Sequence, residues 1–312
     1  MNRVNQLLGT KYPIIQGAMA QVATAQLAAA VSNAGGLGII AAGGKTPDEV
    51  REQIHEARQL TDNNFGVNLM LMDPNSPKIA QVVVEEQVPI ITTGAGTPKK
   101  FMPLMKANGI KVIPVIPNVE LAVKMEQLGV DAVVAEGMEA GGHIGQLTSQ
   151  VLWPQVSDAV SIPIIAAGGI ADGRGIVDAF VDGAEGVQLG TLFSIAKESP
   201  VGPKWRQAII EATDTSTIIT GWSLGAPVRS LKNKMTLKFS ELERNAQNRE
   251  ELETIAVGGL KKAVFDDDVE TGSLMAGQIS GMIKEAKTCR EIIEDLFNDA
   301  NTVANKVQSP LF

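Results

Sequence analysis

Short apolar segments recur along roughly the first 190 residues at intervals of about 20 to 25 positions, and each is followed by a segment with helical periodicity. Most of them are apolar at consecutive positions, as expected for parallel strands that are covered on both faces. The eight predicted strands span residues 13–16, 37–41, 65–71, 89–93, 111–116, 132–136, 163–167 and 186–190. Eight strand-helix units of this size favour an α/β fold, a TIM (β/α)₈ barrel, with an open doubly wound sheet as the alternative.

Capping and turn residues between the predicted strands indicate helices. A change in the sequence pattern after the eighth strand predicts further domains. The segment TPDE at 46–49 supplies an N-cap, a proline in the first turn and two acids, and TP at 97–98 repeats the device. After residue 193 the chain becomes polar and rich in helical patterns. We expect the barrel at 1–195, a smaller lid or substrate domain at 196–271 inserted after strand eight, and C-terminal helices at 272–312. Of these returning helices, one starts near Ser273 and the other spans about 289–306.

Charge and rare residues exclude several classes of protein. The 27 Lys and Arg residues against 35 Asp and Glu residues give a net charge of -8, which argues against a nucleic-acid binder. A single cysteine, Cys289, excludes an intramolecular disulfide, and two histidines are too few for multi-histidine metal sites, so we expect no metal. The sequence has neither a signal-peptide core nor an apolar run long enough to span a membrane. We expect a cytoplasmic homodimer without membrane or nucleic-acid partners.

Two glycine-rich segments follow predicted strands seven and eight, where barrels commonly bind phosphate. They read AAGGIADG at 166–173 and GVQLGTLF at 186–193. Glycines let backbone N–H groups approach an anion closely. Glycine pairs are also routine in such loops, but their presence after both strands predicts a phosphate site.

Predicted strand six runs into EGMEAGGHIG at 136–145, where a carboxylate, several glycines and His143 share one loop. Loop backbone around the imidazole makes a buried core histidine a weak alternative, so we expect His143 at the active site. His55 lies in a charged helical segment and is expected at the surface. Asn68, among apolar neighbours in strand three, is expected to face a polar ligand or to hold a neighbouring loop.

Soft side chains occur in QGAM at 16–19, which ends strand one, and in MAGQ at 275–278, which we place on the returning helix. Methionine and closely approaching backbone suit a flat ring, although methionine as core filler fits the spacing equally well. A cationic run at 229–238 is expected either to guide an acidic carrier protein or a nicotinamide pyrophosphate, or to be a solvated helix face. Its members are Arg229, Lys232, Lys234 and Lys238.

The order of these segments resembles a known enzyme family along nearly the whole chain. IIQGAMA, GVNLML, TTGAG, EGMEAGGHIGQLT, IPIIAAGGIADGRG, VQLGTLF, APVRSLKNK and GSLMAGQ are similar to the FMN-dependent enoyl-acyl-carrier-protein reductases of bacterial type II fatty-acid synthesis and to the related nitronate monooxygenases, formerly 2-nitropropane dioxygenases. EAGGH is shared by both branches. TTGAG, VRSLKNK and GSLMAGQ look more like the reductases.

The resemblance implies an FMN-bearing barrel in which His143 is catalytic. By this resemblance, the FMN ring contacts Gly17, Ala18, Met19, Asn68 and Gln278. The ribityl chain contacts Glu136 and Gly142. The phosphate is bound by Gly168, Gly169, Gly190 and Thr191. Two segments depart from the usual reductase pattern. Ala18 and Gln21 stand where the reductases have Gly and Trp, and Leu192 stands where they have Arg.

The reaction that the resemblance implies is reduction of trans-2-enoyl thioesters, free or bound to acyl carrier protein, by NADH or NADPH through FMN. One alternative is a nitronate monooxygenase that oxidises alkyl nitronates with O₂ on FMN and needs no nicotinamide. The other, from a different class, is a flavin-binding barrel without turnover.

Overall fold

The computed structural model describes residues 2–245 and 249–307, with the side chains of residues 249 and 253 excepted. The ends of the predicted segments 1–195 and 272–312, residue 1 and residues 308–312, lie outside that range. Among the described residues there are eleven strands. In chain order they are β1 Ile14–Gln16, β2 Gly38–Ala41, β3 Phe65–Met70, β4 Ile90–Gly94, β5 Lys111–Ile116, β6 Val133–Glu136, β7 Gly142–His143, β8 Ile164–Ala167, β9 Gly186–Leu189, β10 Thr217–Thr220 and β11 Val228–Leu231.

Eight of these strands form one parallel sheet in the order β1-β9-β8-β6-β5-β4-β3-β2. A parallel bridge between Ile15 and Leu37 joins its two edges and closes it into a barrel. Every predicted strand is present, with ends that differ by at most one residue. The TIM barrel is thus confirmed and the open doubly wound sheet is wrong.

Helices lie outside the barrel and continue beyond it. Their bounds are α1 Arg3–Leu8, α2 Ala25–Asn33, α3 Pro47–Leu60, α4 Ser76–Glu85, α5 Met102–Ala107, α6 Val119–Leu128, α7 Ser149–Ala159, α8 Gly173–Val181, α9 Thr191–Ser194, α10 Pro203–Ile210, α11 Lys234–Arg244, α12 Arg249–Ile255, α13 Gly259–Phe265 and α14 Cys289–Val307. Two 3₁₀ helices span Pro98–Lys100 and Gln278–Met282. No described helix combines the length and apolar character needed to cross a membrane.

The apolar residues divide into two layers because successive residues of a strand point to opposite faces. Ile15, Ile39 and Ile165 lie inside the barrel, where Val4 and Leu8 of α1 pack against the same cluster. The helices cover the outer face of the strands in a second, larger cluster. Burial on both faces explains why the strands are apolar at consecutive positions.

The predicted helix start at 46–49 is a capping box. Thr46 Oγ1 accepts a hydrogen bond from the Glu49 N–H, and the Glu49 carboxylate accepts one from the Thr46 N–H. Thr97 precedes only the 3₁₀ helix and makes no side-chain cap. The second signal therefore marks a turn and not a full helix.

The part of the chain after the barrel differs from the prediction in two places. The segment 196–271 contains the unpredicted hairpin of β10 and β11, which pairs with β7 to form a small antiparallel sheet. The helix expected from Ser273 is absent from residues 273–277, where Met275 forms an antiparallel bridge with Ser230. Hydrogen bonds to distant segments hold these residues extended: the Leu231 N–H donates to the Leu274 carbonyl oxygen and the Gly277 N–H donates to Thr191 Oγ1, over 2.9 Å each. The second returning helix is present as α14 and packs on α8 and α2.

Candidate active site at the barrel mouth

The two predicted glycine loops extend side by side from adjacent strands. Ala167 of β8 pairs with Gln188 of β9, so the chain segments that follow leave the barrel together. Several backbone N–H groups there have no acceptor among the described residues, including those of Gly168, Gly169, Gly190 and Thr191. Unpaired backbone donors normally find a partner. The loops therefore fit the phosphate of FMN.

The glycines of these loops are required for different reasons. Gly168 has φ +93°, and a Cβ on it would lie 2.9 Å from the Gly137 carbonyl oxygen, so backbone geometry and crowding both favour glycine. Gly190 has an ordinary negative φ, and its Cβ would meet only Met19 Sδ, at 3.8 Å. The protein itself thus leaves open space beside Gly190, as a bound phosphate would need.

A third segment is held against the glycine loop that follows β9. The Gly277 N–H donates to Thr191 Oγ1 over 2.9 Å, and the Gln278 N–H donates to the Glu139 carbonyl oxygen over 2.9 Å. These bonds bring the predicted MAGQ segment to the loop that follows β6, although it is not helical there. Gln278 is exposed at this position.

The loop after β6 is fixed by a carboxylate and a hydroxyl. The Ser149 N–H and Oγ both donate to Glu139 Oε2, over 3.0 Å each, and Ser149 Oγ also donates to the Gly168 carbonyl oxygen over 3.1 Å. The β6 loop, the start of α7 and the first glycine loop are therefore one hydrogen-bonded unit. Glu139 and Ser149 were not among the predicted site residues, because nothing in their spacing along the sequence reveals this contact.

Glu136 lies at the carboxyl end of β6, deep in the barrel mouth. Its side chain is half-buried. Desolvation by burial raises the pKa of its carboxyl group to about 7. Its assignment to the ribityl chain of FMN stays a prediction.

Asn68 and the loop after β1 lie on the other side of the barrel mouth. Asn68 Nδ2 donates to Thr92 Oγ1 on β4 over 3.0 Å, and its Oδ1 has no partner in the described part of the chain. The side chain is thus tied to a neighbouring strand while its carbonyl remains available to a ligand. The Gly17 N–H donates to the Leu189 carbonyl oxygen, which places Gly17, Ala18 and Met19 next to β9.

His143 is exposed on β7, and its backbone pairs with Val228 of β11. Gly142 before it has φ +80°. The imidazole is therefore held on the small sheet above the barrel. It is not a buried core histidine, which was the alternative interpretation. The other histidine, His55, is 53% exposed at its side chain and lies 3.0 Å from Glu86 Oε2, as expected for a surface residue.

The cationic run does not form the surface that the sequence suggested. Arg229 is 4% exposed; its Nε and Nη2 donate to the Met138 carbonyl oxygen and its Nη1 donates to Thr217 Oγ1. Burial lowers the pKa of this guanidinium, while nearby Glu139 opposes that shift. Two other members are paired, Lys234 with Glu270 at 2.7 Å and Lys238 with Glu251 at 3.5 Å. Inclusion of Arg229 in a docking surface was wrong.

A cavity of about 440 Å³ opens beside His143 and runs between the barrel mouth and the small sheet and helices. His143 and Gln21 line it from barrel loops, whereas its apolar lining comes mostly from residues 224–260. Its apolar members are Leu224, Ala226, Val228, Met235, Phe239, Leu252, Ala256, Leu260 and, outside that range, Met275. The shape and lining suit a ligand with a polar reacting end and an apolar tail. Gln21 was not among the predicted site residues, although its departure from the reductase pattern marked it.

Acidic and thiol side chains do not gather into a metal site. Within residues 2–245 and 249–307, no three His, Cys, Asp or Glu side chains lie close enough to hold a metal ion. Cys289 is buried, and burial raises the pKa of its thiol.

Comparisons with known proteins cover nearly the whole chain. The family model "Nitronate monooxygenase" matches residues 2–81 and 75–299. A probable nitronate monooxygenase of Staphylococcus aureus strain Newman is 32% identical, over 97% of this chain and 98% of the relative.

Two solved structures are similar in fold and sequence. FabK from Thermotoga maritima is 47% identical with a TM-score of 0.96, over 99% of this chain and 98% of that chain. A nitroalkane oxidase from Streptomyces ansochromogenes is 28% identical with a TM-score of 0.87, over 98% of this chain and 100% of that chain.

Proposed function

The chain belongs to the nitronate monooxygenase family of FMN-dependent oxidoreductases, and within it we propose an enzyme that reduces trans-2-enoyl thioesters with NADH or NADPH. The substrate is the enoyl group on acyl carrier protein or on a smaller thioester. FabK, an enoyl-acyl-carrier-protein reductase, is the more similar of the two solved structures by identity and by TM-score. That similarity supports the reductase branch.

The observation that carries the proposal is the shape of the cavity at His143. It is about 440 Å³ in volume and continues from the imidazole along apolar side chains such as Phe239 and Leu252. An enoyl thioester has a polar conjugated end and an apolar acyl chain, and both ends find matching surface here. A small alkyl nitronate would leave the apolar part of the cavity unused.

FMN fits the residues at the barrel mouth. The free N–H groups at Gly168, Gly169, Gly190 and Thr191 would hold its phosphate, and the segment from Gly17 to Met19, Asn68, Glu136, Gly142 and Gln278 would surround the rest of it. When bound, FMN supplies hydride transfer between the nicotinamide and the β-carbon of the enoyl group.

His143 would act on the substrate and not on the flavin. Its imidazole lies at the cavity on β7, and an imidazole can donate or accept a proton. It would hydrogen-bond the thioester carbonyl oxygen or deliver the proton that the α-carbon takes up. The small sheet and α11 to α13 would cover the acyl chain and exclude water, which is the lid role proposed for residues 196–271.

A second candidate is nitronate oxidation by O₂. The family model and the Staphylococcus aureus relatives are named for that activity, and the exposed imidazole could serve there as a base. That reaction would require neither a nicotinamide site nor the apolar end of the cavity.

Anaerobic mixing separates the two candidates. We expect NADH or NADPH to bleach the purified yellow protein, and crotonyl thioester added afterwards to restore the flavin absorbance. A nitronate oxidase should bleach little with a nicotinamide, and it should instead bleach with an alkyl nitronate. No bleaching by either nicotinamide would overturn the reductase proposal. Gel filtration with light scattering would test the expected homodimer. Fractionation of the native cells would test the expected cytoplasmic location.

A further inference from the structure

Gln21 occupies a backbone conformation that a glutamine seldom adopts. Its φ is +64°, and it lies in a turn in which the Val22 and Ala23 N–H groups both donate to the Met19 carbonyl oxygen, over 3.0 and 2.8 Å. Glycine or asparagine is the usual residue at such a position. Val22 and Ala23 are buried, so the packing of the following residues fixes the turn. The sequence thus retains a glutamine where the backbone favours another residue.

The side chain of Gln21 faces the cavity at His143. It is half-buried, it lines that cavity, and its amide has no hydrogen-bond partner among the described residues. The cavity also has polar lining at His143, Thr220, Ser230, Thr236, Lys261 and Ser273, and the Gln21 amide adds to these a polar group that extends from the loop after β1. A strained residue with an unused polar group in a ligand cavity suggests a role in binding.

Gln21 and His143 approach the cavity from different sides of the barrel. Gln21 follows β1 and His143 follows β6, and β9 and β8 separate these two strands in the sheet. The turn of Gln21 continues directly from Gly17, Ala18 and Met19, the segment that would contact FMN. A substrate that reacts at the flavin would therefore have its reacting end, and not its apolar tail, near the Gln21 turn.

We propose that the Gln21 amide donates a hydrogen bond from Nε2 to the oxygen of the substrate's reacting group, across the cavity from His143, and thereby helps to select the substrate. The inference rests on the proposed function, under which that oxygen is the thioester carbonyl. A carbonyl oxygen only accepts hydrogen bonds, and the amide supplies a neutral donor without a charge that would have to be buried. Two donors from different sides would orient the conjugated system toward the flavin.

Gln87 provides a matched control because it is also a glutamine with positive φ, +49°. It is exposed just after α4, and its N–H donates to the Val84 carbonyl oxygen in an ordinary helix-ending turn. It does not line the cavity. A Gln87→Gly change therefore relieves the same kind of backbone strain, that of a positive φ at glutamine, without altering the cavity lining.

The experiment compares Gln21→Gly, Gln21→Met and Gln87→Gly as purified flavoproteins. Gln21→Gly should have a Tm equal to or above that of the wild type, since glycine tolerates the turn. Both Gln21 variants should lower kcat/KM for crotonyl pantetheine about 10-fold, and weaken binding of butyryl pantetheine to a similar degree. Reduction of the flavin by NADH should stay within about 2-fold of the wild-type rate. Gln87→Gly should change none of the activity or binding values.

The Met variant separates the amide from the backbone, because it keeps the side-chain length and removes the donor. Normal kcat/KM and normal butyryl pantetheine binding in Gln21→Met would overturn the inference, even if Gln21→Gly were impaired. Failure of the wild type to reduce crotonyl pantetheine would instead reject the proposed function. In that event, the affinity for butyryl pantetheine still tests the inference. If the wild type and Gln21→Met bind it equally, or if neither binds it, the inference is rejected as well.

Discussion

The Arg229 guanidinium donates two hydrogen bonds, from Nε over 3.2 Å and from Nη2 over 2.9 Å, to the carbonyl oxygen of Met138. Met138 belongs to the loop between β6 and His143, and the backbone of Arg229 pairs with Gly142. One residue of the small sheet thus holds both ends of the segment that carries the imidazole. The barrel and the sheet above it are joined at the point where the chemistry is proposed.

We expect Arg229→Lys to impair the position of His143 without loss of FMN. Lysine cannot reproduce the planar fork that binds one carbonyl oxygen twice, so the loop should be less well fixed. The rate of enoyl reduction should fall about 10-fold, while flavin reduction by NADH changes less. Stopped-flow measurement of the two half-reactions checks this. Thr217→Val, which removes only the partner of Nη1, should have a smaller effect; equal losses would contradict the loop-holding role.

Glu136 predicts a pH dependence for the stability of the apoprotein. Its pKa is raised from 4.5 to about 7 by burial, so the folded protein holds the proton more tightly than the unfolded chain. This stabilisation is complete below pH 4.5 and is lost as the pH rises to about 7, by roughly 3 kcal/mol at most. Urea unfolding of apoprotein between pH 5 and 8 should show the decline. Glu136→Gln should flatten it, and an identical slope in that variant would rule Glu136 out as the source.

Gly190 tests the phosphate site with little disturbance of the protein. Its φ is negative and the only nearby atom is Met19 Sδ at 3.8 Å, so Gly190→Val should fold normally. The added side chain should occupy the space of the phosphate and lower the amount of FMN that copurifies at least 10-fold. Flavin absorbance per protein and the circular dichroism of the apoprotein provide the measurement. A folded variant with a full complement of FMN would place the phosphate elsewhere.

Gly169→Val, the equivalent change in the other loop, should also abolish FMN retention, but for a second reason. Gly169 has φ +73°, while its Cβ would make only ordinary contacts, with Glu139 carbon atoms at 3.7 and 3.8 Å and with Ser149 Oγ at 3.8 Å. Backbone strain and obstruction of the phosphate would therefore act together. If this variant binds FMN with wild-type absorbance, the Gly169 N–H is not a phosphate ligand.

The apolar end of the cavity predicts a dependence on acyl length. Ala256 lines the cavity but is not part of the buried core, so Ala256→Leu should narrow it without destabilising the fold. The kcat/KM ratio of octenoyl to crotonyl thioester should fall several-fold, since the longer chain needs the narrowed space. Val257→Leu is the control, because Val257 is 72% exposed and does not line the cavity. An unchanged ratio in Ala256→Leu would mean that the acyl chain lies elsewhere.

The barrel could be predicted from the sequence because its signals are local. Each strand is a short apolar run between turn residues, and burial on both faces requires that pattern wherever the strand lies. The β10 and β11 hairpin gave no such signal, because its strands mix polar and apolar residues and are held by antiparallel pairing, β10 with β11 and β11 with β7. The helix predicted for residues 273–277 was wrong for the same reason. The extended form of these residues depends on Ser230 and Thr191, which are distant in sequence.

Site residues divide in the same way. The glycine loops and His143 were identified by their place after predicted strands, because loops at the carboxyl ends of barrel strands meet at one face. Arg229 looked like one of four clustered cations, and only the tertiary structure reveals that it is buried against Met138. Charge read along a sequence does not show which cations are paired or buried.

His143 carries the most direct test of the mechanism. It is the histidine at the cavity, and its loop is held by Arg229 while the groups proposed to bind FMN belong to other loops or to the backbone. His143→Ala should therefore retain FMN and lower kcat for enoyl reduction by roughly 10²-fold, since a positioned acid or hydrogen-bond donor is lost. Flavin reduction by NADH should fall less, because hydride arrival at the flavin needs no proton from this side chain. His55→Ala, at the surface pair with Glu86, is the matched control and should behave as wild type. Loss of FMN in His143→Ala would indicate a structural role, and full turnover would remove the imidazole from the mechanism.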